Sequence, residues 1–277
     1  MASADSPRRL VVTADDFGRS HAINEAIIEA HTTGILTCAS LIVTGGAFDH
    51  AVELAHAHPA LGVGLHLCLV CGRSALKPTQ IPNLVDDHYH FSSRPVWAGL
   101  RYFFARELRW QLRHELEGQV QKFRTTGLAL DHLNGHLNLH LHPTVLSLIS
   151  RHAPAWKARH FRLTRDPFWL NARLAGGAWA YRLSHALIFN LLSWRARPAL
   201  RRAGLRHTDA VFGLLQNGRV TEDYVARLLP RLPLGDFELY AHPSRDTARH
   251  ELEALTSSRV KALVVQHGIR LVRYQDL

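Results

Sequence analysis

The sequence predicts an α/β protein, a (β/α) barrel of parallel strands alternating with helices, and three observations carry that expectation. Short apolar runs of strand length recur along the chain, separated by stretches with a helical period. Several of these runs end in ionisable groups: Asp15 and Asp16, His66, His136 and His242. The sites of such barrels gather at the C-terminal ends of the strands, which is where these groups would fall.

Leu10 to Ala14 (LVVTA) reads as the first strand, ending in Asp15 and Asp16 before Phe17 and Gly18. Two carboxylates after a buried strand are costly unless something positive satisfies them. They point in different directions, so one can hold a metal while its neighbour stays free for proton transfer. The other reading is an acidic pair at a helix N-terminus, since Ser20 and a helical run through Ile23, Ile27 and Ile28 follow.

Cys38 to Thr44 is a second strand, stopped by Gly45 and Gly46, and a helix around Phe48 to His58 closes at Pro59. Gly62 to Val70 (GVGLHLCLV) is a third strand, interrupted by His66. A lone histidine on an apolar strand is commonly a satisfied core residue. The chain then offers DHLNGHLNLHLHP, Asp131 to Pro143, with His132, His136, His140 and His142 interleaved with leucines. A fully extended run would set His136 and His140 about 13 Å apart, too far to share one ion at about 2 Å bonds. The strand is therefore expected to end near Gly135, with His136 meeting ligands from other strands. Asp16, His66 and His136 would arrive from three strands, and one carboxylate with two imidazoles suits a catalytic divalent ion.

Strands follow near His160 to Thr164, Thr208 to Gly213, Phe237 to Ala241 and Ile269 to Val272, with helices at Thr144 to His152, Glu222 to Leu229 and Val260 to His267. Two segments break the rhythm: 94–124 and 173–206 read as helical insertions, rich in Trp, Phe, Leu and Arg, that cover the barrel mouth. The second has the look of an interfacial membrane helix, a packed lid being the other reading.

One domain spanning 1–277 accounts for the length and for a hydrophobic fraction of 47%. The formal charge of +10 is carried by arginine, since only four of the 33 basic residues are lysines. Such a surface favours phosphate, nucleic acid or anionic lipid, or else reflects a preference for Arg over Lys with no functional meaning. Cys38, Cys68 and Cys71 cannot make a disulfide framework, Cys68 and Cys71 are expected to be buried apolar cysteines, and a reducing cytoplasm is the simpler setting. The start, MASADSPRRL, lacks the apolar core of a secretion signal, and no uncharged apolar window is long enough to span a bilayer.

TADDFG (Thr13 to Gly18), GLHL (Gly64 to Leu67), HLNGHLNLH (His132 to His140) and YAHP (Tyr240 to Pro243), in this order, resemble the YdjC-like carbohydrate deacetylases. The resemblance implies a distorted barrel of the polysaccharide-deacetylase type and a divalent metal, zinc or magnesium, used to hydrolyse an N-acetyl group on a sugar. It implies Asp16, His66 and His136 as metal ligands, Asp15 as general base and His242 as general acid. The commoner family pattern is HxDxHQHxH, so Asn134 stands in place of an acid and Asn138 in place of a histidine, which leaves neighbouring contacts open. DHLNGHLNLHLHPTV, GLHLCLVCGR and RLTRDP look closest to the hopanoid-associated branch. That likeness implies a hopanoid lipid bearing an N-acetylglucosamine head; the basic aromatic insertions fit a lipid-borne substrate independently, with peripheral contact at the inner membrane, and no nucleic acid partner is expected. Three alternatives stand beside it: deacetylation of soluble chitooligosaccharides, a metal-dependent hydrolase of esters or phosphoesters, and a basic membrane- or nucleic-acid-binding protein whose histidines are structural.

Overall fold

The computed structural model describes residues 8–277, so the reading of the N-terminal start as leaderless falls mostly outside the described residues. Strands are β1 (Arg8–Phe17), β2 (Cys38–Leu41), β3 (Gly62–Leu67), β4 (Leu133–Gly135), β5 (Ala210–Phe212), β6 (Gly235–Ala241) and β7 (Ile269–Leu271). Helices are α1 (His21–Thr33), α2 (Phe48–Ala57), α3 (Pro95–Phe104), α4 (Leu108–Thr125), α5 (Pro143–His152), α6 (Phe168–Leu174), α7 (Trp179–Arg202), α8 (Glu222–Leu228), α9 (Arg249–Thr256) and α10 (Ser258–Gln266). The order across the sheet is β4-β3-β2-β1-β6-β5, every pairing is parallel, and β7 pairs with the start of β1.

The expected strand at His160 to Thr164 is reduced to extended backbone with two isolated parallel bridges, Leu133 to Phe161 and His160 to Arg206. Its role survives the loss of regularity. The Leu133 N–H donates to the His160 carbonyl on one side, and the Phe161 and Val211 N–H groups pair with Arg206 and Arg165 on the other. Residues 159–165 thus bridge the two edges of the curled sheet, leaving the half-barrel without a free seam there.

β1 is buried from Leu10 to Phe17 on both faces, as a central parallel strand must be. Leu10, Val12 and Ala14 join the main core with Ile27 and Ala30 of α1, while Val11 meets Cys38, Val272 and Tyr274 inside the barrel. Tyr274, fully buried near the C-terminus, stacks on the His132 ring with centroids 4.7 Å apart. Gly64 makes room for that ring: a Cβ there would lie 2.4 Å from His132.

Three further expectations are corrected. β3 ends at Leu67 rather than Val70, and Cys71 is exposed on a turn with φ of 53°, whereas Cys68 is buried. Helix α9, absent from the sequence reading, follows the turn after His242. The 94–124 segment is also no single lid: α3 exposes Val96, Trp97 and Phe104, but α4 packs on β3 as its crossover helix. The inward side of α4 carries Gln111, Glu115 and Gln119, spaced one turn apart and buried. Gln119 accepts from the Cys68 N–H (2.9 Å) and donates to the Cys68 carbonyl (2.6 Å). Glu115 accepts from Ala75 and Leu76, and Gln111 from Asn83. These side chains replace the strand partner that β3 loses beyond Leu67, and they fix the long irregular connection to α3.

Replacing Gln119 with Leu keeps the volume but leaves both Cys68 backbone groups buried without partners. Urea unfolding should show a loss of about 1–3 kcal/mol relative to the unchanged chain.

Candidate active site

β1 runs on through both carboxylates, correcting the expectation that it stops at Ala14, and its register against β2 shifts between Ala14 and Phe17. Asp16 takes a left-handed φ of 66° at this bulge. A bulge re-aims the side chains beside it, and here it turns the two acids to different partners. The Asn24 side chain secures the turn by accepting from the Gly18 N–H and donating to the Ala47 carbonyl.

Asp16 faces two histidines. Its Oδ1 is 3.1 Å from His136 Nδ1 and 3.6 Å from His66 Nε2, and Arg19 donates to its Oδ2 at 2.7 Å. The His66 and His136 rings meet edge to face with centroids 5.7 Å apart. His66 stands on β3, while His136 follows the last residue of β4, so the strand does end at Gly135. The histidine-rich stretch then leaves the extended path, because Leu137 and Asn138 are both left-handed. Its four imidazoles consequently part company: His132 lies in the barrel interior, His136 reaches Asp16, His140 donates to the Arg162 carbonyl, and His142 packs beside Tyr102 and Phe103.

The donor set fits a metal ion. One atom from each of Asp16, His66 and His136 lies within 4.8 Å of the others. Ligand atoms about 2 Å from a tetrahedral centre sit roughly 3.3 Å from one another, close to the separations seen. Asn134 accepts from His66 Nδ1 at 2.8 Å, so the proton is on Nδ1 and the Nε2 lone pair, on the side of Asp16, is left free to bind a metal ion. Burial, outweighing the attraction of Asp15 and Asp16, lowers the His66 pKa to about 4, so the ring is neutral at physiological pH. Cys38, Asp131 and His132 form a second cluster of ligand-type atoms, but they engage each other and Ser40, Asp131 also accepting from the Gln275 N–H.

Asp15 lies on the other side, against a guanidinium. Arg162 donates to both Asp15 oxygens, at 2.6 and 3.0 Å, and to Glu238 Oε1 at 3.0 and 2.7 Å, with all three residues buried. The Tyr274 hydroxyl donates to the other Glu238 oxygen, and Arg162 lies over the Tyr240 ring at 4.4 Å. Burial pushes the Asp15 carboxyl up, but Arg162, then His66, and more weakly His242 hold it well below the usual carboxylate range. Asp16 is likewise held down against burial by His136, His66 and His242. His242 follows β6, with its ring edge-on to Tyr240 at 5.7 Å and its N–H donating to Glu251 at 2.5 Å.

All five residues singled out from the sequence thus meet at one end of the sheet. Arg162, Glu238 and the bridging part of Asn134 were missed. Glu238 carried a signal, a carboxylate inside the apolar run FELYA. Arg162 carried a weaker one, since it lies in an extended stretch of an arginine-rich chain.

Fold and site together define a class: a parallel α/β barrel whose strand ends converge a carboxylate and two imidazoles beside a second acid held by a buried arginine. Residues 9–266 match the family model described as YdjC-like protein, and the chain belongs to that family. It is 33% identical to a carbohydrate deacetylase of Mus musculus over 97% of this chain and 94% of the mouse protein. A carbohydrate deacetylase of Brevibacillus brevis is 36% identical, over 54% of this chain and 57% of that protein, so the chain spans little more than half the length of that relative. The fold matches a solved structure from Enterococcus faecalis, a protein proposed to cleave cellobiose phosphate, with a TM-score of 0.75 and 23% identity over 98% of this chain and 99% of that one.

Replacing Arg162 with Met should cost about 3–5 kcal/mol in denaturant unfolding, because two buried carboxylates lose the cation they share. A variant as stable as the parent would mean that the guanidinium is not holding them.

Proposed function

We propose that this chain is a metal-dependent N-deacetylase of an acetylated amino sugar, releasing acetate and a free amine. One observation carries the reading: an acid and two imidazoles converge as a donor set beside a second, separately held acid. The family, and the deacetylase names of its relatives, support the same reading.

A divalent ion, zinc or magnesium, held by Asp16, His66 and His136 would polarise the acetamide carbonyl and make water more acidic. Asp15 would take the proton from the attacking water. Arg162 occupies both of its oxygens and fixes the plane of the carboxylate, which stays ionised and able to accept. His242, half-buried just past the end of β6, would give a proton to the leaving nitrogen. Asn134, donating to Asp15 Oδ1 at 3.2 Å while accepting from His66, would keep base and ligand in register.

The substrate in this proposal is a hopanoid lipid with an N-acetylglucosamine head, on the likeness of DHLNGHLNLHLHPTV, GLHLCLVCGR and RLTRDP to the hopanoid-associated branch. Acetate release should be measured from that lipid and from short chitooligosaccharides, before and after metal stripping and readdition. Release from the lipid alone, restored by metal, is expected. Release from soluble sugars alone would remove the lipid assignment, and phosphate or alcohol in place of acetate and amine would remove the deacetylase.

Asp15→Asn should retain bound metal yet lose turnover by about 10²–10⁴-fold. His136→Ala should lose the metal itself in elemental analysis. Normal turnover by Asp15→Asn would dismiss Asp15 as the base.

A further inference from the structure

Helix α7 is built inside out. Its inward side carries Arg182, which donates to the Ala175 carbonyl and to Asn171, and Ser193, which donates to the Thr164 carbonyl; both are buried. Its outward side, from Trp179 to Trp194, presents Leu183, Leu187, Ile188 and Leu191, with Leu187 72% and Trp194 67% exposed. The exposed positions between the two tryptophans include no charged residue. A surface helix of a globular protein ordinarily shows the reverse arrangement.

We propose that this outward side of α7 is a docking surface for an anionic lipid bilayer. Leucines flanked by tryptophans suit a helix lying in the interface, with its apolar side in the acyl boundary and the indoles at headgroup level. The charge around it has the matching sign. Arg195, Arg201 and Arg202 are exposed at the C-terminal end, and residues 167–208 contain no Asp or Glu. A second copy of the chain would bring arginines against arginines with no acid from this segment to pair them, whereas anionic headgroups supply the missing charge. No described helix is long and apolar enough to cross a membrane, so the surface lies on the bilayer.

The position serves the site. Ala186, on the inward side of α7, packs with Leu214, Leu215 and Tyr240, and Tyr240 is the residue whose ring borders both Arg162 and His242. A bilayer against α7 is therefore separated from the candidate site by the thickness of one helix. The docking surface does not depend on the chemistry proposed for the site.

The test uses the full chain with vesicles of phosphatidylcholine alone and of equal parts phosphatidylcholine and phosphatidylglycerol. Co-sedimentation with the anionic vesicles, with a blue shift of tryptophan emission, is expected. Leu183→Ser, Leu187→Ser and Leu191→Ser together should weaken it by about tenfold or more. Val265→Ser, 81% exposed on α10, should leave it unchanged. Circular dichroism and urea unfolding report whether the triple variant is folded, and because neither reads turnover they keep this test apart from that of the deacetylase. No vesicle binding by the parent chain, or equal binding by the folded triple variant, overturns the proposal. Self-association that the triple variant abolishes, without vesicle binding, overturns it in favour of a second copy.

Discussion

The buried guanidinium of Arg162 sets the terms for the strand-end interior. Arg162 leaves the strand-like segment that bridges the sheet edges and meets Asp15 from β1 and Glu238 from β6. Three ionised groups out of water would be expensive separately, and only geometry this saturated makes their burial tolerable. The Tyr274 hydroxyl completes Glu238, and the Tyr240 ring covers the guanidinium. Barrel closure and placement of the candidate base are consequently coupled: docking of 159–165 brings in the guanidinium that most strongly holds Asp15 ionised, and the acids in turn satisfy that buried arginine.

The bulge in β1 does complementary work. Adjacent residues of a regular strand point to opposite faces, which would send one acid into the barrel and the other toward the helices. The register shift and the left-handed Asp16 instead keep both at the strand end, Asp15 toward Arg162 and Asp16 toward the imidazoles. Asn134 then joins the halves. A carboxylate at that position could also accept from His66, but it would lie 3.2 Å from Asp15 with nothing to donate. The amide accepts on one side and donates to Asp15 and Ser40 on the other, adding no charge to a crowded interior. That gives the departure from the commoner family pattern a physical reading.

The sequence disclosed what depends on periodicity and on ionisable groups stranded in apolar runs. Asp15, Asp16, His66, His136 and His242 each interrupt or terminate such a run, so their convergence could be anticipated from a barrel alone. The end of β4 at Gly135 followed from the reach of an extended chain. Arg162 was harder, because its significance lies in two partners 76 and 147 residues away. The fate of the four histidines turned on left-handed backbone at Leu137 and Asn138, which an alternating pattern cannot foretell.

Helices α4 and α7 share one feature: residue type predicts exposure only when the partner is other side chains or water. The buried face of α4 works on backbone, so Gln111, Glu115 and Gln119 are there as hydrogen-bonding groups for a chain that has lost its neighbouring strand. The buried face of α7 also meets backbone carbonyls, through Arg182 and Ser193. Polar residues spent inward leave fewer to cover the outside, but α4 still presents Arg109 and Arg124 to solvent. α7 has no such cover between Trp179 and Trp194. Inward bonding therefore explains the polar buried face of each helix, but only for α7 does an uncharged, largely apolar outer face remain to be accounted for.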